Sequence, residues 1–173
     1  MSKFRRITTP DDPSFDTLCE SLRSTSERAD QAWPADALAA CAESGVFEWF
    51  VPPGLGGQGW SPTDVIRGYL RLSASCLTTT FIITQLTGAV RRIANSENQA
   101  LANRLMPDLM SGQALATLGI SHLTTSRQHL KKPALLASKS PEGFRLNGFT
   151  PWATGAAQAE YIVIGASLED GRQ

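Results

Sequence analysis

An α+β fold is what this sequence predicts: an all-α helical domain over residues 1–112, then a partial, truncated β-barrel-like domain over 113–173. Three observations carry that expectation. As far as Gly112, apolar residues recur at helical spacing. From Ala114 onward the texture changes to short β-branched and aromatic runs between turn signals. The composition is globular: of 173 residues, 42% are hydrophobic and 18% are charged.

The helices are read in order. Asp12 can cap a first helix, with Pro13 at its first position. Phe15, Leu18, Cys19 and Leu22 then follow i, i+3, i+4, i+7 and form one apolar face. A second helix starts near Pro34 and turns Leu38 and Cys41 inward. Gly45 is placed to end it in a left-handed cap, with Val46 packing back. A third begins at Ser61-Pro62, with the apolar pairs Val65/Ile66 and Tyr69/Leu70. An uncharged run follows from Ser73 to Val90. It is read as a helix buried inside protein, with a loop or break near its threonines, Thr78, Thr79, Thr80, Thr84 and Thr87. Arg91 and Arg92 suit the last turn of a helix. Ser96-Glu97-Asn98-Gln99 reads as a capping box opening a helix with Leu101, Leu105, Met106 and Leu109, closed by Gly112.

Strand signals come next. Ala114 to Ile120 and Ala134 to Ala137 are short apolar runs. Pro141-Glu142-Gly143 is a turn, after which Phe144-Arg145-Leu146 alternates with period two. Tyr161-Ile162-Val163-Ile164 is the clearest strand. Four or so short strands make a small sheet with exposed edges, so the β-domain is expected to be incomplete.

Composition also excludes function classes. Sixteen Lys+Arg balance sixteen Asp+Glu, for a formal net charge of zero. Non-specific nucleic-acid binding needs a net basic face, so that class is not expected. Cys19, Cys41 and Cys76 are widely spaced, form no C-x-x-C and read as small core hydrophobes in a reducing cytoplasm. The basic start MSKFRRITTPDD has no apolar segment after it and does not read as a secretory signal. Half of the Ser73 to Val90 run is non-apolar, whereas a membrane span needs about 20 predominantly apolar residues. His122 and His129 have no Cys or paired carboxylate at ligand spacing, so no metal site is expected.

One motif misleads. Gly54-Leu55-Gly56-Gly57-Gln58-Gly59 matches G-x-G-x-x-G, the dinucleotide fingerprint. That fingerprint needs a strand before it and an acid about 20 residues later. Here Pro52-Pro53 precede it, and no Asp or Glu lies between Asp64 and Glu97. The segment reads instead as a mobile glycine-rich connection between helices.

The same loop carries a family resemblance. Glu43-Ser44-Gly45-Val46 is followed by Val51-Pro52-Pro53-Gly54-Leu55-Gly56-Gly57-Gln58-Gly59, a "V-P-x-x-x-G-G-x-G" loop. Ser96-Glu97-Asn98-Gln99 and Leu105-Met106-Pro107-Asp108-Leu109-Met110-Ser111-Gly112 follow an "E-x-Q … L-P-x-L-x-S-G" pattern. Ala114 to Ser121 looks like a strand entering a β-domain. Asn147-Gly148 with Pro151-Trp152-Ala153-Thr154-Gly155 looks like "N-G-x-K-x-W-I-T". In order and spacing these segments resemble the acyl-CoA dehydrogenase family from about residue 12 onward.

The resemblance implies a flavoprotein oxidoreductase with FAD as cofactor and an acyl-CoA or related small molecule as substrate. In that family a carboxylate takes the α-proton of the thioester and the β-hydrogen leaves as hydride to flavin N5. It also implies cofactor-binding roles. Leu118, Gly119, Ile120 and Ser121 match the strand-end segment against the flavin pyrimidine ring, with Ser121 in place of the usual Thr. Trp152 matches the aromatic residue against the isoalloxazine, and Thr154 the hydroxyl near N5. A spacing of two would put Trp152 and Thr154 on one side of an extended strand.

The sequence departs from the family in two places. The "T-E-P-x-x-G-S-D" loop becomes Ser121-His122-Leu123-Thr124-Thr125-Ser126-Arg127-Gln128, leaving the role of that loop in doubt. Ser126 is the candidate substitute for its lost end, and Arg127, Lys131 and Lys132 read as a solvated face. The C-terminal bundle that carries the family's base is absent, so no catalytic residue is assigned and little dehydrogenase activity is expected of these residues alone. Two other functions stay open: a flavin-dependent monooxygenase on the same scaffold, and a non-catalytic interaction module. Family enzymes are homotetramers held largely through the absent bundle. That assembly is not expected to transfer, although a homo-oligomer of some kind stays open.

Overall fold

A computed structural model describes residues 4–26, 33–124 and 133–170. Helix α1 spans Ser14–Ser26. Asp12 lies just before it, accepting the Ser14 N–H at 2.9 Å and the Thr8 N–H at 3.2 Å. Those backbone donors hold the Asp12 carboxyl below the usual carboxylate range. Phe15, Leu18, Cys19 and Leu22 are all buried, as their spacing requires. Helix α2 spans Ala35–Glu43, buries Leu38 and Cys41, and ends ahead of Gly45 at φ 77°. All three described cysteines are free and buried, and burial pushes the Cys41 thiol up.

Trp49 is the centre of the helical core. It is fully buried and stacked on Trp60, with centroids 4.2 Å apart and planes 10° from parallel. Phe15 tilts against its ring at 5.4 Å, and its indole N–H donates to the Ile7 carbonyl at 3.3 Å. The glycine-rich loop beside it is pinned rather than slack. Gln58 N–H donates to the Glu48 carbonyl, Gly59 N–H to Val51, and Trp60 N–H to Trp49, at 2.8, 2.9 and 2.7 Å. These bonds correct the expectation of a mobile connection: the glycines let the chain fold back onto residues 48–51.

Helix α3 spans Pro62–Ser73, and the Ser61 hydroxyl caps it by accepting the Asp64 N–H. Its inner face differs from the predicted pairs. Val65, Gly68 and Leu72 are buried, whereas Ile66 and Leu70 are 59% and 65% exposed. The Tyr69 hydroxyl bonds Thr87, and burial pushes that phenol up to about 12.

Helix α4 runs unbroken over Leu77–Ala94. The interruption falls ahead of the threonines, at the extended residue Cys76 (φ −154°). Thr80 and Thr87 donate to the carbonyls of Cys76 and Ile83 at 2.9 and 2.8 Å, so buried hydroxyls are satisfied within the helix. Helix α5 spans Gln99–Ser111. Its cap is Asn98, which accepts the Leu101 N–H at 3.0 Å, rather than Ser96, which accepts the Asn98 N–H. Among the described residues, no helix is long and apolar enough to cross a membrane.

Strands follow the helices. β1 is Ala116–Gly119, and the single turn α6 is Ser121–Thr124. β2 (Leu135–Ser140) and β3 (Gly143–Gly148) form an antiparallel pair across the expected turn. β4 is Tyr161–Ile164 and pairs in parallel with β1, Ala116 opposite Tyr161. β5, the two residues Ser167–Leu168, adds in parallel to β2. The result is two open sheets, β1-β4 and β3-β2-β5, rather than one. The α6 turn and the short β5 were not anticipated from sequence. β3 is exposed along its whole length.

Gly68 provides a test of the Trp49 core. A Cβ there would sit 2.6 Å from the Trp49 ring, which is enclosed and rigid. Gly68→Ala gains about 1 kcal/mol of helix propensity but overpacks the core by about 1–3 kcal/mol. The expected outcome is a lower urea midpoint, corresponding to about 1 kcal/mol lost. An unchanged or raised midpoint would show that the indole yields.

Candidate functional site

The site is built on β1. This strand lies between α4 and β4, and its first two residues are buried. α4 comes close at Gly88, where a Cβ would stand 3.0 Å from the Leu118 side chain. Because β1 and β4 are parallel, the residues that follow both strands collect at one end of the sheet. Ile120 and Ser121 follow β1 there, and Gly165 follows β4, its N–H donating to the Gly119 carbonyl at 3.3 Å.

The chain returns alongside β1 before β4 begins. The Thr117 hydroxyl, 2% exposed, donates to the Thr154 carbonyl at 2.6 Å. Gly119 is approached from the same segment: a Cβ there would meet Thr150 Cγ2 at 2.8 Å and Ala153 Cβ at 3.7 Å. Only a glycine leaves room for this approach. Trp152 projects from the segment with 65% of its surface exposed, and its indole N–H donates to Thr154 Oγ1 at 3.0 Å. An indole N–H can only donate, so the hydroxyl oxygen is the acceptor.

The six sequence-predicted residues are placed as follows. Leu118 and Gly119 lie in β1. Ile120 lies beyond the strand, and Ser121 opens the α6 turn, so these two are not strand residues. Trp152 and Thr154 lie outside any strand, so the expected strand alternation does not place them; a side-chain hydrogen bond joins them. Ser126, Arg127, His129, Lys131 and Lys132 lie outside the described residues.

Two residues escaped the sequence reading. Thr117 looked like a β-branched strand former, yet it carries the bond that anchors Thr154. His122 places Nε2 2.7 Å from the Gly165 carbonyl oxygen, tying the segment after β1 to the one after β4. A carbonyl only accepts, so Nε2 holds the proton; the buried Nδ1 has no hydrogen-bond partner among the described residues. A cavity of about 220 Å³ opens at the other end of β1, beside Trp33, Phe47, Leu115 and Glu160. It includes none of the six residues, and Glu160 there already accepts the Leu115 N–H at 2.6 Å.

The groups at the site suit a flat heteroaromatic ligand. The indole N–H is satisfied within the protein, so the outward part of Trp152 is an apolar ring face. Phe149, Ile162 and Ile164 are also exposed. Exposed apolar surface of this kind makes a candidate binding face.

No protein-family model and no curated protein matches the sequence. Solved structures do match. An FAD-dependent dehydrogenase is 22% identical with a TM-score of 0.72, over 92% of this chain and 43% of that one. The chain has the acyl-CoA dehydrogenase fold. An acyl-CoA dehydrogenase complexed with FAD from Bacillus anthracis is 18% identical with a TM-score of 0.67, over 98% of this chain and 31% of that one. TdsC from Paenibacillus sp. A11-2, in a complex with FMN and indole, is 17% identical with a TM-score of 0.68, over 90% of this chain and 38% of that one. The chain therefore spans less than half the length of these structures. It carries the helical part and a portion of the β-domain of the acyl-CoA dehydrogenase fold.

Thr117→Val tests the anchor, since it keeps the shape and deletes the hydroxyl. The Thr154 carbonyl then loses its partner, and the expected cost is about 1 kcal/mol, read by chemical denaturation. An undiminished stability would show that this bond carries no weight.

Proposed function

We propose that this chain forms the flavin-facing part of an acyl-CoA dehydrogenase-type oxidoreductase, with FAD as cofactor and an acyl-CoA thioester as substrate. The observation that carries the reading is the bond between Trp152 and Thr154 beneath an exposed indole, anchored to β1 through Thr117. When bound, the flavin would supply a two-electron acceptor for the hydride leaving the substrate.

The chain's own residues bind and orient. Trp152 offers a flat face against a flat ring. Thr154 offers a hydroxyl donor for a ring nitrogen that gains negative charge. Leu118, Gly119 and Ile120 offer strand-end backbone, and Ser121 a hydroxyl able to donate and accept. No motif places a carboxylate base among these residues, so proton abstraction is not assigned to them.

A second reading is a flavin-dependent monooxygenase on the same scaffold. The observation favouring it is the sequence after Ser121, where His122 and Leu123 stand in place of the family's Glu-Pro and the Gly-Ser-Asp end is lost.

Titrating the protein with FAD and with FMN, followed by the flavin absorption band, tests the cradle. FAD is expected to bind, and Trp152→Ala to weaken it about tenfold, the scale of about 1.4 kcal/mol of lost ring stacking. Binding of FMN alone would reassign the cofactor. Binding of neither would remove the cradle and favour a non-catalytic interaction module.

A further inference from the structure

We propose that the Trp152 indole N–H restricts the directions open to the Thr154 hydroxyl proton, so that Trp152 is a positioning residue for that donor as well as a flat surface. This rests on the flavin-cradle reading above.

The argument starts from how many hydrogen bonds each group can make. Thr154 has three polar groups: its N–H, its carbonyl and its hydroxyl. The carbonyl accepts the buried Thr117 hydroxyl at 2.6 Å, which ties the Thr154 backbone to β1. The hydroxyl oxygen accepts the indole N–H at 3.0 Å. A hydroxyl has one proton and two lone pairs. With the indole proton on one lone pair, the hydroxyl proton cannot point back at the indole, because two protons would then face each other. Of the staggered positions open to the rotor, the one aimed at Trp152 is removed. The proton is left to point elsewhere, toward any acceptor presented beside the ring.

Two consequences follow. A donor already denied one of its directions loses less freedom when its acceptor arrives, which is the basis of electrostatic preorganisation. A hydroxyl that accepts one hydrogen bond is also polarised to donate the next more strongly, by about 10–30% per bond. Trp152 therefore acts on the acceptor through Thr154, at a distance from its own ring face. The arrangement needs Trp at this position: Phe or Tyr supplies a flat ring but no N–H at that edge.

A purely structural role would make the indole–hydroxyl bond a staple of the segment before β4 and nothing more. A double-mutant cycle separates the two. Trp152→Phe keeps the ring and deletes the N–H; Thr154→Val keeps the shape and deletes the hydroxyl. The readout is the two-electron midpoint potential of the bound flavin, which gives the ratio of affinities for its reduced and oxidised forms. Trp152→Phe is expected to lower that ratio about threefold to tenfold in the wild-type background and to leave it unchanged in the Thr154→Val background. An equal effect in both backgrounds, or none in either, overturns the proposal.

A cofactor-free measurement keeps this failure distinct from failure of the cradle. In the free protein, Thr154→Val should shift the Trp152 indole N–H resonance and speed its hydrogen exchange. An unmoved resonance overturns the proposal whatever the flavin does. If the resonance moves but no flavin binds the wild-type chain, the cradle reading fails and the donor role fails with it.

Discussion

The close approach of β1 to α4 is the constraint on which the rest of the molecule depends. A parallel pair of four-residue strands has little stability of its own. β1 is held because one face lies on a long helix that comes near enough at Gly88 to touch Leu118. Dispersion and apolar burial across that contact hold the strand still. Once β1 is fixed, its other attachments gain meaning. β4 has a template, Thr117 has a buried and fixed position, and Gly119 leaves room for Thr150 and Ala153. The helical core around Trp49 thereby positions the site, and Trp33, packed against that core, approaches Gly155 beside Thr154.

The order of the helices was legible in the sequence because apolar spacing records which face is buried. It failed in α3 for a physical reason. Ile66 and Leu70 are as apolar as the buried residues, and Gly68, which lies so close to Trp49 that a Cβ would clash with its ring, adds nothing to a hydrophobic pattern. The threonines of α4 misled in the opposite sense. Their β-branching argues against a helix, but back-bonding to the preceding turn satisfies their hydroxyls inside one. At the start of α5, Ser96 and Asn98 are both competent caps, and only the path of the chain decides between them.

In the candidate site, chemical identity was easier to read than connection. Trp152 and Thr154 are singled out by the family resemblance of the segment after Asn147-Gly148, and a side-chain hydrogen bond joins them. The groups that hold the site together could not be. Thr117 meets a backbone carbonyl 37 residues away, and His122 one 43 residues away. Backbone carbonyls are the same in every residue, so a side chain that finds one leaves no partner to recognise in the sequence. The parallel pairing of β1 with β4 was hidden likewise, because strand direction is set by the path between strands and not by their composition.

That pairing also governs the order of assembly. The helices pack mostly on chain neighbours, α1 on α2, α3 on α4 and α4 on α5, whereas Ala116 must wait for Tyr161 to come round past β2 and β3. Bringing the ends of so long a segment together costs entropy before any contact repays it, and such non-local closures are the slow steps of folding. The Trp152 segment lies inside that loop, so it gains its shape only when the loop shuts. A chain emerging from the ribosome would complete its helical body before the surface around Trp152.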